Sequence, residues 1–142
     1  MIKVNIDRSQ LRGLQARIDR ASKEKQRAVN DVIKETTIAV HKEAIESISK
    51  KGSGRTYELY IPRRTHTASA PNNPPATDTG FLKNNLRWET IKSAFTGKVI
   101  SGADYSVYLE FGTSQMEQRP FMRPALEKNY KAFINNVKRA LK

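Results

Sequence analysis

The sequence predicts an α+β domain with a long N-terminal helix, a small, mostly antiparallel sheet and an amphipathic C-terminal helix. Apolar residues recur every three or four positions over 11–48 and again over 126–141, which is the period of a helix that buries one face. Between these stretches lie short segments rich in aromatic and β-branched residues, separated by turns that contain glycine or proline. We expect residues 1–142 to form a single domain.

The first six residues alternate between apolar and polar side chains, which predicts a short strand or an extended lead-in. A helical pattern then covers residues 10–50, interrupted by the wholly polar segment 22–27. As one helix it would be about 60 Å long, twice the span of a small domain, and residues 1–25 would be a projecting N-terminal arm. The alternative interpretation is two ordinary helices that are joined near Ser22.

The middle of the chain predicts one strand and one long loop. Gly52 and Gly54 should end the helical pattern, because glycine accepts the left-handed conformation of a helix C-terminus. Residues 55–61 are rich in aromatic and β-branched side chains, so they predict a strand, which Pro62 would end. Residues 62–77 are rich in proline, asparagine and serine and predict a flexible loop.

The second half of the chain predicts four more elements. Asp78 should cap a short helix that extends to Leu86, and segments 86–91 and 98–101 should form a hairpin around the loop 94–97. Residues 105–111 predict a short helix or turn, closed by Gly112. Arg123 and Pro124 should start the last helix, because proline suits the first helical position. The expected buried stripe of that helix is Leu126, Tyr130, Phe133, Ile134, Val137 and Leu141.

The composition restricts the classes of function. The chain has no cysteine, which excludes disulfides and thiolate metal sites, and no apolar run long enough to span a bilayer. Its formal net charge is +12, and such a charge attracts polyanions. Non-specific nucleic-acid binding is therefore an alternative function, in which Arg63 and Arg64 would contact phosphates. The aromatics that could stack on bases would be Tyr57, Tyr60, Phe81 and Trp88, although a small core needs the same residues.

Recognised catalytic patterns are missing from the sequence. The only two histidines, His41 and His66, have no second nitrogen ligand at metal spacing. Asp104 and Glu110 could act as an acid–base pair, but capping of a turn and pairing with an arginine are commoner roles for such residues. We therefore expect a protein that is not an enzyme and that carries no cofactor or metal.

The most informative segment is 105–113, followed by 119–125. These residues include four aromatics, one central carboxylate, a glycine and two prolines in a short span before the last helix. This combination is typical of a part that must hold one shape against a neighbour. We expect Glu110 to pair with Arg55 or Arg119.

Three pieces of the chain carry a resemblance to a known family. The first is Gly-Arg-Thr-Tyr at 54–57, with Ala-Ser-Ala-Pro at 68–71 and Pro-Pro-Ala at 74–76. The second is Asp-Thr-Gly at 78–80, with Leu82. The third comprises 105–113 and 119–126. With these pieces the chain resembles the minor tail-component, or neck, proteins of long-tailed bacteriophages, a family that includes tail-completion proteins. Members often carry glycine and acidic residues where this chain has its proline-rich loop.

The resemblance implies a structural virion protein of the neck or tail, made in the cytoplasm of a bacterial host. It would assemble with itself into a ring, with a hexamer as the expected form, around the channel through which DNA passes. Its other partners would be the connector or head-closure protein and the tail-terminator or tail-tube protein, with no membrane involved. The predicted assembly residues are Arg55, Tyr57, Tyr105, Tyr108, Glu110, Phe111, Gly112, Arg119, Pro120, Phe121, Arg123 and Pro124.

Overall fold

The computed structural model describes residues 8–60 and 63–142, so the strand predicted over residues 1–6 lies outside the described residues. The prediction of an α+β fold is confirmed. The helices are α1 (Arg8–Arg20), α2 (Lys23–Ile48), α3 (Phe81–Asn84), α4 (Ser106–Phe111) and α5 (Met122–Ala140). The strands are β1 (Thr56–Tyr60), β2 (Arg63–Thr67), β3 (Leu86–Ile91) and β4 (Thr96–Ser101).

The N-terminal helical pattern forms two helices that are separated at Ser22, as the alternative interpretation had it. Ser22 has an extended backbone, and its hydroxyl accepts a hydrogen bond from the Lys25 amide at 3.4 Å, which makes it the N-cap of α2. Leu14 and Ile18 of α1 are buried in a cluster that α2 and α5 share. The described part of α1 therefore lies on the body of the domain and does not project as an arm.

The strands form two separate two-stranded antiparallel sheets. The β1–β2 hairpin pairs Thr56 with Thr67 and Tyr60 with Arg63, so the loop predicted over 62–77 was wrong for residues 63–67. Threonines alternate with Arg64 and His66 in that segment, and such a pattern suits a pleated strand even though it has no apolar face. Residues 68–77 contain no helix or strand.

The β3–β4 hairpin was predicted correctly, with β4 beginning two residues earlier than expected. A single 3-10 turn joins its strands, and Phe95 ends that turn in the left-handed conformation. A Cβ atom at Gly97 would collide with the side chain of Thr37, which shows that the hairpin packs closely on α2. Glycine at this position therefore sets the distance between sheet and helix.

Two buried clusters hold the fold together. One surrounds the C-terminal half of α2 and contains Leu82, Leu86, Phe121, Met122 and Ala125, among others. The other joins α1, the N-terminal half of α2 and the end of α5, where Val137 and Leu141 of the predicted stripe are buried. The remaining four residues of that stripe are only partly buried.

In the part of the chain that the structure describes, none of the helices combines the length and the apolar character that crossing a bilayer requires.

Candidate docking site

Glu110 is the central residue of the predicted assembly motif, and it caps the N-terminus of α5. One carboxylate oxygen, Oε2, accepts hydrogen bonds from the amides of Phe121 at 2.9 Å and Met122 at 3.1 Å. The other, Oε1, accepts one from the amide of Arg123 at 2.8 Å. The side chain is only 3% exposed. Three backbone donors and the positive end of the helix dipole thus stabilise a buried negative charge.

The predicted ion pair of Glu110 with Arg55 or Arg119 was wrong. No ion pair to Glu110 occurs within residues 8–60 and 63–142. The guanidinium of Arg55 lies over the ring of Tyr57, 5.3 Å from its centroid. The backbone amides at the start of α5 have no acceptor within their own helix, so they take the place of a cationic side chain.

The local sequence explains why Glu110 points inwards. Ser106 and Glu110 are four residues apart on α4, share its buried face, and are 1% and 3% exposed. The hydroxyl of Ser106 donates a hydrogen bond to the Ala103 carbonyl at 2.5 Å and is also hydrogen-bonded to Ser101. The amide of Arg119 donates to the Leu109 carbonyl at 2.6 Å, which holds the returning chain against α4.

Gly112 makes the sharp exit from α4 possible. Its φ of 75° lies in the region that favours glycine. A Cβ atom there would also lie 2.8 Å from the Met116 carbonyl oxygen and 2.9 Å from the Gln118 nitrogen. The predicted closing glycine is therefore required by both the backbone conformation and the available space.

The side of α4 opposite Glu110 is exposed, and with Phe81 at the start of α3 it forms a surface that we call the aromatic face: Phe81, Tyr105, Tyr108 and Phe111. Tyr108 and Phe111 are 57% and 56% exposed, and successive members from Tyr105 onwards are three residues apart and hence neighbours. Phe81, at the start of α3, lies with its ring centroid 6.2 Å from that of Tyr105. A contiguous apolar surface of this kind marks an interaction site more often than scattered single residues do.

The hydroxyl of Tyr105 ties the aromatic face to α3. Burial of this group raises the pKa of Tyr105, and a backbone hydrogen bond with Leu82 lowers it and offsets part of the effect. Tyr105 is nevertheless 43% exposed.

The other predicted site residues separate into distinct environments. Phe121 is fully buried beneath the motif, and Pro120 is half-buried. Arg123 and Pro124 are exposed in the first turn of α5, which starts one residue before the predicted position. Tyr57 lies on β1 and Arg55 directly precedes that strand, so both are distant from α4 in the sequence.

Sequence reasoning missed the interaction that fixes the segment before α3. Asp78 does not cap that helix, whose N-cap is Gly80 without a side-chain hydrogen bond. Instead, the carboxylate of Asp78 binds the guanidinium of Arg64 through two contacts, of 2.7 and 2.9 Å. The prediction that Arg64 contacts phosphates therefore loses support, because the group is already paired. For Phe81 the sequence predicted base stacking or burial in the core, and its place in the aromatic face was missed.

Metal and histidine chemistry receive no support from the described residues. No group of three or more histidine, cysteine or acidic side chains is placed to hold a metal ion in 8–60 or 63–142. His41 Nε2 is hydrogen-bonded to the Leu86 carbonyl at 3.1 Å, and His66 Nδ1 lies 3.8 Å from Asp78.

Fold and site together define a small α+β protein with an exposed aromatic surface beside a buried, hydrogen-bonded Glu110. The chain belongs to the HK97-gp10-like family, described as "Bacteriophage HK97-gp10, putative tail-component", whose model matches residues 12–112. The family predicted from the sequence motifs is thereby confirmed. No curated protein and no solved structure gives a match. The matched residues include the whole aromatic face and Glu110, whereas segment 119–126 lies beyond them.

Proposed function

We propose that this chain is a non-enzymatic structural subunit at the head–tail junction of a phage, where it forms a ring that joins the connector to the tail. Membership of the tail-component family supports a place in the virion. The observation that carries the proposal is the aromatic face, which stands on a short helix whose buried Glu110 is hydrogen-bonded to α5. Such a support keeps the docking geometry constant, which assembly into a closed ring requires.

The exposed area of the aromatic face is sufficient for a meaningful contact. Complete burial of one large apolar side chain contributes about 1.5–3 kcal/mol. The four side chains are each about half exposed, so covering them would contribute roughly 3–6 kcal/mol per interface. Aromatic residues also dominate binding hot spots, and a ring repeats the same contact at every subunit boundary.

The test is the joining of heads and tails in the parent phage. The double substitution Tyr108→Ala and Phe111→Ala should leave the fold intact, because both side chains are more than half exposed. We expect unjoined heads and tails in electron micrographs and a large loss of infectious particles. Tyr60→Ala is the matched control, since Tyr60 is 74% exposed and lies on the β1–β2 hairpin. Normal titres from the double variant would refute the proposed role of the aromatic face.

A second candidate function is non-specific nucleic-acid binding, and one observation favours it. Arg17, Arg20 and Lys25 line a cleft of about 350 Å³ where α1 meets α2. The ammonium of Lys25 donates to the carbonyls of Leu141 and Lys142, at 3.3 and 3.1 Å, while both arginines are exposed. In a ring, this cleft would suit the phosphates of DNA in the channel.

Salt dependence tests the second candidate. Counterion release makes phosphate binding weaken steeply with salt, by about 0.9 in the logarithmic slope per neutralised phosphate. The double substitution of Arg17 and Arg20 by glutamine should weaken DNA binding and reduce this slope. Binding that is weak at low salt and unaffected by these substitutions would exclude the cleft as a nucleic-acid site.

A further inference from the structure

A small pocket lies beneath the aromatic face, between residues 68–82, α4 and the chain that enters α5. Its volume is about 230 Å³, and Phe81 and Tyr105 of the aromatic face form part of its wall. Ile48, Leu82 and Leu109 give it an apolar side. The volume is below the usual range for drug-sized ligands and suits a single side chain or a small organic molecule.

Two polar groups in the wall have no hydrogen-bond partner among the described residues. The hydroxyl of Ser69 is one, and this residue is only 4% exposed. The Nε–H group of Arg119 is the other, and its nitrogen is buried although the side chain as a whole is half-buried. Buried polar groups are nearly always paired in proteins, so two unpaired donors in one pocket indicate a missing acceptor.

The neighbouring acidic groups do not supply that acceptor. Asp78 also lines the pocket, but both of its oxygens contact the guanidinium of Arg64. Both oxygens of Glu110 already accept hydrogen bonds from amides at the start of α5. Within residues 8–60 and 63–142, Arg119 forms no ion pair with a carboxylate, and a half-buried cation of this kind favours an anionic ligand.

We propose that this pocket binds a carboxylate group carried on a short apolar stem, with the carboxylate on Arg119 and Ser69 and the stem on the apolar side. Planar carboxylates match the donor geometry of a guanidinium better than other common anions of this size except phosphate, which lacks an apolar stem. The ligand is either a free organic acid or the acidic side chain of another polypeptide. This site goes beyond the proposed docking role, and its binding of a carboxylate does not depend on ring formation.

An NMR titration of the isotope-labelled full chain tests the site. The probes are phenylacetate and N-acetyl-glutamate amide, each compared with its neutral counterpart, phenylacetamide or N-acetyl-glutamine amide. We expect saturable shifts at the amides of Ser69, Leu82 and Arg119 with the acids, and a response at least tenfold weaker with the neutral compounds. Tighter binding of the glutamate probe identifies a polypeptide side chain as the ligand, and tighter binding of phenylacetate identifies a free acid.

Variants separate the pocket from general electrostatic attraction. Arg119→Gln should weaken binding of the acids at least tenfold, and Ser69→Ala should weaken it several-fold. Arg123→Gln removes the same charge from an exposed position nearby and should leave binding unchanged. Equal responses to acid and neutral probe, or equal losses in Arg119→Gln and Arg123→Gln, would overturn the proposal. If Arg119→Gln does not fold, the Ser69→Ala result decides.

Discussion

Replacement of Glu110 by alanine is expected to destabilise the protein more than most single substitutions. The change leaves three amides at the start of α5 without their acceptor, two of them on the buried residues Phe121 and Met122. A buried donor that loses its partner costs about 1–3 kcal/mol, and loss of a helix cap by itself costs about 0.5–2 kcal/mol. Some of these donors can regain water, so we expect a loss of about 3–5 kcal/mol in the free energy of unfolding.

A loss of this size is measurable and would endanger the fold, because domains of this kind are stable by only about 5–15 kcal/mol. The assay is chemical denaturation followed by circular dichroism, with thermal melting as a second measure. Glu110→Gln keeps one carbonyl acceptor and should lose less than Glu110→Ala. Glu127→Ala, at an exposed position on α5, is the control and should change stability by less than about 0.5 kcal/mol. A loss below about 1 kcal/mol for Glu110→Ala would refute the reasoning.

Three further predictions follow from the same structure. Phe121→Ala removes a fully buried ring and should cost about 3–5 kcal/mol in denaturation experiments, so any defect in assembly would have to be separated from unfolding. Arg64→Ala should cost at most about 1 kcal/mol, because its ion pair with Asp78 is partly exposed, yet it should speed limited proteolysis within residues 68–77. Burial raises the pKa of Tyr105, so its contribution to stability is present below the unfolded pKa and is lost as pH rises through the folded pKa. Wild type should therefore lose more stability than Tyr105→Phe as the pH rises above about 10, as measured by denaturation at each pH.

Much of the fold could be predicted because its elements have strong local signals. The period of apolar residues identified α2 and α5, and the polar segment after residue 21 marked the break that Ser22 caps. Strand β2 was missed because its residues are polar, so its pairing with β1 had no apolar pattern to reveal it. What forms this strand is the backbone ladder, to which every non-proline residue can contribute.

The contacts of Glu110 differ from those that the sequence predicted. The motif around Glu110 was recognised as important, but its partners were expected to be arginine side chains. Every residue except proline has a backbone amide, so residue types do not show which amides a side chain will bind. The sequence therefore could not show that Glu110 accepts hydrogen bonds from the helix N-terminus that begins eleven residues later. The same limitation hid the pocket, since the unpaired state of Ser69 and Arg119 depends on how three distant segments meet.

The way Glu110 is paired also connects the two proposed binding features. If Glu110 had bound Arg119, the pocket would hold a neutral pair and would have little reason to attract an anion. Because the backbone amides at the start of α5 bind Glu110 instead, Arg119 forms no ion pair with a described carboxylate and lies in the pocket with Phe81 and Tyr105 of the aromatic face. A partner that covered this face with apolar groups and placed one carboxylate in the pocket would satisfy both features at once. A partner without that carboxylate would bury Arg119 unpaired, at a cost of several kcal/mol that would oppose docking.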